Sequence, residues 1–198
     1  PSPDRIRLRV EDRGATYPIV IDPLLTGTFD SLLESNQASS QLGFAVATAG
    51  DVNGDGYDDV IVGAPLYDAG TTDEGAAFLF LGSAFGVDQV NPSQAHAQLE
   101  GNQLAAQMGN SVASAGDVNG DGYDDVIVGS ALFNAGQAGE GVAWIYLGSS
   151  TGIPDGGPAT AHAGFESNQT NAQMGFSVAT AGDVNGDGYD DVIVGAPF

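Results

Sequence analysis

The string AGDVNGDGYDDVIVG occupies residues 49–63, recurs at 115–129, and appears a third time at 181–195 without a change. The copies start 66 residues apart, and the same offset aligns Phe78 with Trp144, Glu74 with Glu140, His96 with His162, and Glu34 with Glu100 and Glu166. A period of this size means that one supersecondary unit is reused, and that each copy buries its apolar face against the next. The string itself divides in two. Residues 51–59 are acidic and turn-rich, whereas 60–62 are purely apolar and β-branched.

Working outward, residues 46–48 are a short run of Val, Ala and Thr, residues 76–81 are apolar and aromatic and close on Gly82, and a more polar stretch lies near 95–99. Short runs broken by Gly, Asn and Asp, with no 3.6-residue period, predict antiparallel β-structure. Four strands per 66 residues is the size of a propeller blade with one generous loop. The two middle strands, apolar on both faces, are expected to lie between neighbouring blades. The fold class is therefore all-β, built of four-stranded antiparallel blades.

Two domains are expected. In residues 1–24, Arg5, Arg7 and Arg9 alternate with Ile6, Leu8 and Val10, a turn follows at 12–14, and the run 17–21 stops at Asp22-Pro23, which predicts a β-hairpin. Residues 25–198 carry the repeats: a leading outer strand, two complete units and the inner strand pair of a third. Such an array has open edges, which the N-terminal strands or a second chain would cover. The Pro1 start reads as a trimmed fragment, and no signal peptide opens it.

Composition narrows the function. Of 198 residues 30 are Gly, none is Cys, and Asp+Glu 26 outweigh Lys+Arg 4, for a net charge of −22. All four basic residues fall at Arg5, Arg7, Arg9 and Arg13, so every formal charge beyond residue 14 is negative. Such a surface repels phosphate backbones and anionic headgroups, which argues against nucleic-acid and peripheral membrane binding. No apolar run reaches the ~18 residues of a membrane span. Without Cys there is neither a disulfide framework nor a thiolate site. A cation is the partner that remains.

The nine-residue loop supplies its ligands. Asp51, Asn53, Asp55 and Asp59 put side-chain oxygens at loop positions 1, 3, 5 and 9, Gly56 permits the reversal at position 6, and Tyr57 offers its backbone carbonyl at position 7. The second copy repeats this with Asp117, Asn119, Asp121, Tyr123 and Asp125, and the third with Asp183, Asn185, Asp187, Tyr189 and Asp191. Hard oxygens in this number suit Ca²⁺, about one ion per loop and three in the chain. Mg²⁺ would demand stricter geometry and keep its waters, and Zn²⁺ would want His or Cys. Position 12 is Val62 rather than a bidentate Glu, so the loop is not an EF-hand. The plainer reading makes Asn-Gly and Asp-Gly mere turn formers, but three unchanged copies of a full ligand set favour the metal. The expected role is structural.

With Gly43-Phe44 before the loop and Gly63-Ala64-Pro65 after it, and again Gly175-Phe176 and Gly195-Ala196-Pro197, the unit resembles the FG-GAP repeat of integrin α-subunit β-propellers and of many bacterial extracellular proteins. The second unit departs from the motif at Gly109-Asn110 and Gly129-Ser130-Ala131, though its loop is intact. The resemblance covers residues 33–198. It implies a propeller with Ca²⁺ on hairpin loops, a secreted or cell-surface location, and adhesion or the binding of a protein or glycan ligand.

Other signals read as structural. Residues 148–152 formally match a GxSxG nucleophile elbow, but the following Gly- and Pro-rich stretch forms no helix, so a turn is expected and no catalysis. His96 and His162 are assigned to the outer strand, and Glu34, Glu100 and Glu166 to turn capping. Phe78, Phe80, Trp144 and Tyr146 read as interblade packing. No separate acid and base pair for glycoside hydrolysis stands apart from the loops. Asn168-Gln169-Thr170 is an acceptor sequence for N-glycosylation. The alternatives to an adhesion module are a non-catalytic propeller segment of a secreted hydrolase or lyase, and an artificially amplified repeat. A homo-oligomer of two chains would complete a six-bladed ring.

Overall fold

The structure is a computed structural model that describes residues 32–89 and 91–198; the expected N-terminal hairpin at 1–24 lies outside the described residues. Ten strands follow in order: β1 (Ala45–Gly50), β2 (Asp59–Ala64), β3 (Ala76–Phe80), β4 (Ala97–Glu100), β5 (Met108–Gly116), β6 (Asp125–Ser130), β7 (Val142–Tyr146), β8 (Ala163–Glu166), β9 (Ser177–Gly182) and β10 (Asp191–Gly195). They form two four-stranded antiparallel sheets, β1-β2-β3-β4 and β5-β6-β7-β8, and the two-stranded pair β9-β10. These are four-stranded antiparallel propeller blades, and a single 3₁₀ turn, Pro92–Gln94, is the only helical element among the described residues.

The β-branched runs make the strands and the acidic string makes the hairpins between them. In blade one, Val46 pairs with Val62, Ala47 with Ile61 and Thr48 with Val60, and the register slips between Thr48 and Gly50. Blade two repeats the slip between Ser114 and Gly116, so each acidic loop is entered through a bulge at a glycine with positive φ, 75° at Gly50 and 71° at Gly116.

Cross-strand pairing sorts side chains by face. Ala49, Ile61, Leu79, Ala97 and Leu99 line the downstream face of blade one, and they form one core with Val112, Val126, Val128 and Tyr146 of blade two. The next interface joins Ala115, Ile127, Ala143 and Ile145 to Val178, Val192 and Val194 of the third unit. The middle strands are thus sandwiched between units, as expected. On the upstream face of blade one, Val62, Phe78 and Phe80 are covered in part by Leu33, Leu42, Tyr67, Val87 and Ala95.

Two expectations need adjustment. Of the leading outer strand, residues 32–34 carry no strand, and the remainder lies outside the described residues. His96 and His162 sit one residue ahead of β4 and β8 rather than within them, because Leu79 and Ile145 bind their backbone N–H groups in the approach to those strands.

Candidate metal centre

Each acidic string joins the first strand of a unit to the second, on the same edge of every blade. In the first loop Asp51 folds back over the turn: its Oδ1 accepts the Asp55 N–H at 3.0 Å and its Oδ2 the Gly56 N–H at 2.8 Å. Asn53 Oδ1 accepts the Asp55 N–H at 2.9 Å while its Nδ2 donates to Asp55 Oδ2 at 3.0 Å, and Asp55 Oδ1 accepts the Tyr57 N–H at 3.0 Å. These are Asx-type turns, which is why the sequence adopts this shape without tertiary help. The second loop repeats the set through Asp117, Asn119 and Asp121, and in the third Asp183, Asn185 and Asp187 bind the matching backbone N–H groups.

Position 9 behaves differently. Asp59 and Asp125 are buried, and each carboxylate bridges two backbone donors. Asp59 accepts from Val52 N at 2.9 Å and Gly82 N at 2.8 Å; Asp125 accepts from Val118 N at 2.9 Å and Gly148 N at 2.8 Å. This carboxylate therefore ties the loop to the exit of the third strand. Burial pushes Asp125 up to about 6, against the two N–H bonds that lower it and with Asp121 and Asp117 adding repulsion. Asp59 is raised for the same first reason, burial. Asp191, on the two-stranded third unit, is only half-buried and keeps the Val184 N–H alone, at 3.0 Å.

The structure thus brings positions 1, 3 and 5 of each loop into mutual contact and places position 9 beneath them. Among the described residues no group of three or more His, Cys, Asp or Glu side chains stands close enough to hold an ion as arranged. The donor chemistry nevertheless suits a hard cation: three carboxylates and an amide oxygen per loop, in a described chain with no Lys or Arg. Holding an ion would exchange some of the intraloop N–H contacts for coordination.

Asp58, Asp124 and Asp190, at loop position 8, were not among the sequence-derived ligands. Asp124 Oδ2 accepts the Asp51 N–H at 2.8 Å, and the Asp124 N–H donates to the Asp51 carbonyl at 3.2 Å. Asp190 treats Asp117 identically, at 3.0 and 3.1 Å. A Cβ on Gly50 would stand 2.2 Å from Asp124 Oδ2, so only glycine leaves room for this clasp. One loop down, a Cβ on Gly54 would lie 2.8 Å from the Tyr123 ring, and one on Gly120 2.7 Å from the Tyr189 ring. The signal available in the sequence was the first Asp of each Tyr-Asp-Asp triplet, which ligand spacing left without a task.

The remaining candidates stay structural. Residues 148–152 are a turn in which Ser149 Oγ bonds the Gly152 carbonyl at 2.7 Å, and no helix follows. Tyr67 meets Phe78 edge-on at 5.1 Å and Phe133 meets Trp144 at 5.4 Å, so these aromatics are engaged in packing. Glu100 ends β4, holds Gln98 Nε2 at 2.8 Å and is raised by burial and by Glu74; Glu166 ends β8. Asn168 is exposed in a turn at φ 55°. No helix among the described residues is long and apolar enough to cross a membrane.

Comparison with known proteins agrees with this architecture. The FG-GAP repeat model matches residues 42–80, 108–146 and 174–198, one segment per unit. Mouse integrin alpha-IIb is 36% identical over 169 residues, 83% of this chain and 16% of that protein. Integrin alpha pat-2 of Caenorhabditis briggsae is 36% identical over 175 residues, covering 82% of the chain and 14% of the relative. Bovine phosphatidylinositol-glycan-specific phospholipase D is 33% identical over 164 residues, 80% of the chain and 19% of the enzyme. The chain spans less than a fifth of the length of these relatives. With three matched segments on three structural units that share one loop, the chain belongs to the FG-GAP repeat family.

Proposed function

We propose that this chain is a calcium-stabilised propeller segment of a secreted or cell-surface protein, serving adhesion or the binding of a protein or glycan ligand. Asp51, Asn53, Asp55, the Tyr57 carbonyl and Asp59 would hold one ion, and the equivalent residues of the second and third loops two more. The ion supplies charge compensation. The protein's own part is to present oxygens on a turn already pre-shaped by Asx bonds, and to anchor that turn through the position-9 carboxylate. The observation that carries the reading is the buried Asp125, held above its usual range in a described chain without Lys or Arg, beneath two further loop carboxylates. The integrin relatives support the adhesion role by their names.

A second reading has one observation in its favour, the similarity to a phospholipase D: the repeats would be a non-catalytic segment beside a catalytic domain. Neither reading assigns catalysis to the repeats. Thermal unfolding in millimolar calcium and in EGTA tests the metal claim. Chelation is expected to lower the midpoint by ten degrees or more, on the order of RT ln(1 + [L]/Kd) summed over three sites. An unchanged midpoint would remove calcium from the account. Binding of the calcium-loaded chain to extracellular-matrix proteins or to a glycan array would then separate the adhesion reading from the second.

A further inference from the structure

At both internal junctions of the array, an acidic loop is gripped by the unit that follows it. Asp51, at position 1 of the first loop, is held at its two backbone groups by one residue of the second unit: its N–H by Asp124 Oδ2 at 2.8 Å and its carbonyl by the Asp124 N–H at 3.2 Å. The next carbonyl, that of Val52, accepts the Ser149 N–H at 3.0 Å, while the Val52 N–H stays with Asp59 Oδ2 at 2.9 Å. The Tyr123 ring lies against Gly54, where an added Cβ would come within 2.8 Å of it. The second junction repeats the grip. Asp190 holds the Asp117 N–H and carbonyl at 3.0 and 3.1 Å, and the Tyr189 ring lies against Gly120. Neither the Asp124 nor the Asp190 carboxylate bonds to its own loop among the described residues.

We infer that Asp124 and Asp190 are positioning residues for the cation sites of the preceding units: Asp124 sets the affinity of the Asp51 loop, and Asp190 that of the Asp117 loop. A backbone fixed at both N–H and C=O fixes the direction in which Cβ leaves it. The position-1 carboxylate is therefore aimed before an ion arrives, and binding is spared the cost of ordering it. Partners that orient a ligand without touching the ion are commonly worth about 10–100-fold in metal affinity. The inference rests on the calcium reading above and goes beyond its ligand sets, to which neither residue belongs. Each site is then a property of two units, one supplying the oxygens and the next holding the first of them in place.

Calcium titration of the chelated full chain, followed by NMR at the amides of Gly56, Gly122 and Gly188, reads each loop separately, since each of these N–H groups bonds the position-1 carboxylate of its own loop. Asp124→Ala and Asp124→Asn lose the same charge, but only Asn keeps an oxygen that can accept the Asp51 N–H, so their difference isolates the clasp. Asp124→Ala is expected to bind calcium about tenfold more weakly than Asp124→Asn at the first loop, with no difference between the two at the second. Asp190→Ala against Asp190→Asn should move that difference to the second loop, and this pair carries the test if an Asp124 variant fails to fold. Equal first-loop affinities in the two Asp124 variants would overturn the inference and leave the calcium reading standing. So would a difference confined to the second loop, which would make Asp124 a residue of its own site. Glycine resonances that stay fixed in the unsubstituted chain at millimolar calcium would remove the calcium reading, and the inference with it.

Discussion

The second and third acidic loops have the same fifteen residues and different surroundings. Around the second, blade two supplies β7 beneath and the third unit supplies Asp190 above, so Asp125 is sealed and bridges two donors. Around the third no further unit stands among the described residues, so Asp191 is half-buried with one donor and Asp183 is open. Burial in the stack accordingly pushes Asp125 up to about 6. The loop shape is therefore local, encoded in its own Asx turns, whereas its electrostatics belong to the stack.

Substitutions measured in EGTA, where coordination plays no part, sharpen this contrast. Asp125→Ala strands two buried N–H groups and is expected to cost about 2–4 kcal/mol in urea unfolding, against less than about 1 kcal/mol for Asp191→Ala. Equal costs would break the comparison. Gly116→Ala forces a Cβ within 2.1 Å of Asp190 Oδ2 at φ 71°, while Gly182→Ala meets only the backbone penalty at φ 66°. The first is expected to lose about 2–3 kcal/mol and the second about 1 kcal/mol. Asp190→Ala removes one interunit clasp and should cost about 1 kcal/mol, whereas Asp58→Ala, which removes no hydrogen bond among the described residues, should leave the urea midpoint unmoved.

The same contrast can be read through pH. The folded Asp125 carboxyl holds its proton more tightly than the unfolded one, about 6 against 3.8, so the stability it contributes is full below pH 3.8 and lost as pH rises through 6. With calcium chelated, the urea midpoint is expected to fall from pH 4 to pH 7. Asp125→Asn should flatten that window.

Much of this was legible in the sequence for physical reasons. Each β-branched triplet flanked by Gly and Asp had to be a strand, and Ile61, Ile127 and Ile193 fell in equivalent strands by period alone. The Asx turns were legible too, because their donors and acceptors lie within five residues of each other. What escaped was long-range. The tie from Asp59 to Gly82 spans 23 residues and the clasp from Asp124 to Asp51 spans 73, and neither spacing follows from a ligand pattern. His96 and His162 fell one residue ahead of β4 and β8, where the edge of an outer strand is set by its neighbour's carbonyls rather than by its own side chains.

Calcium titration of the chelated chain by calorimetry tests the central claim most directly. The account predicts three ions per chain, falling to two in Asp117→Asn, with the third loop retained. Absence of binding heat at millimolar calcium, or a stoichiometry that Asp117→Asn leaves unchanged, would contradict it.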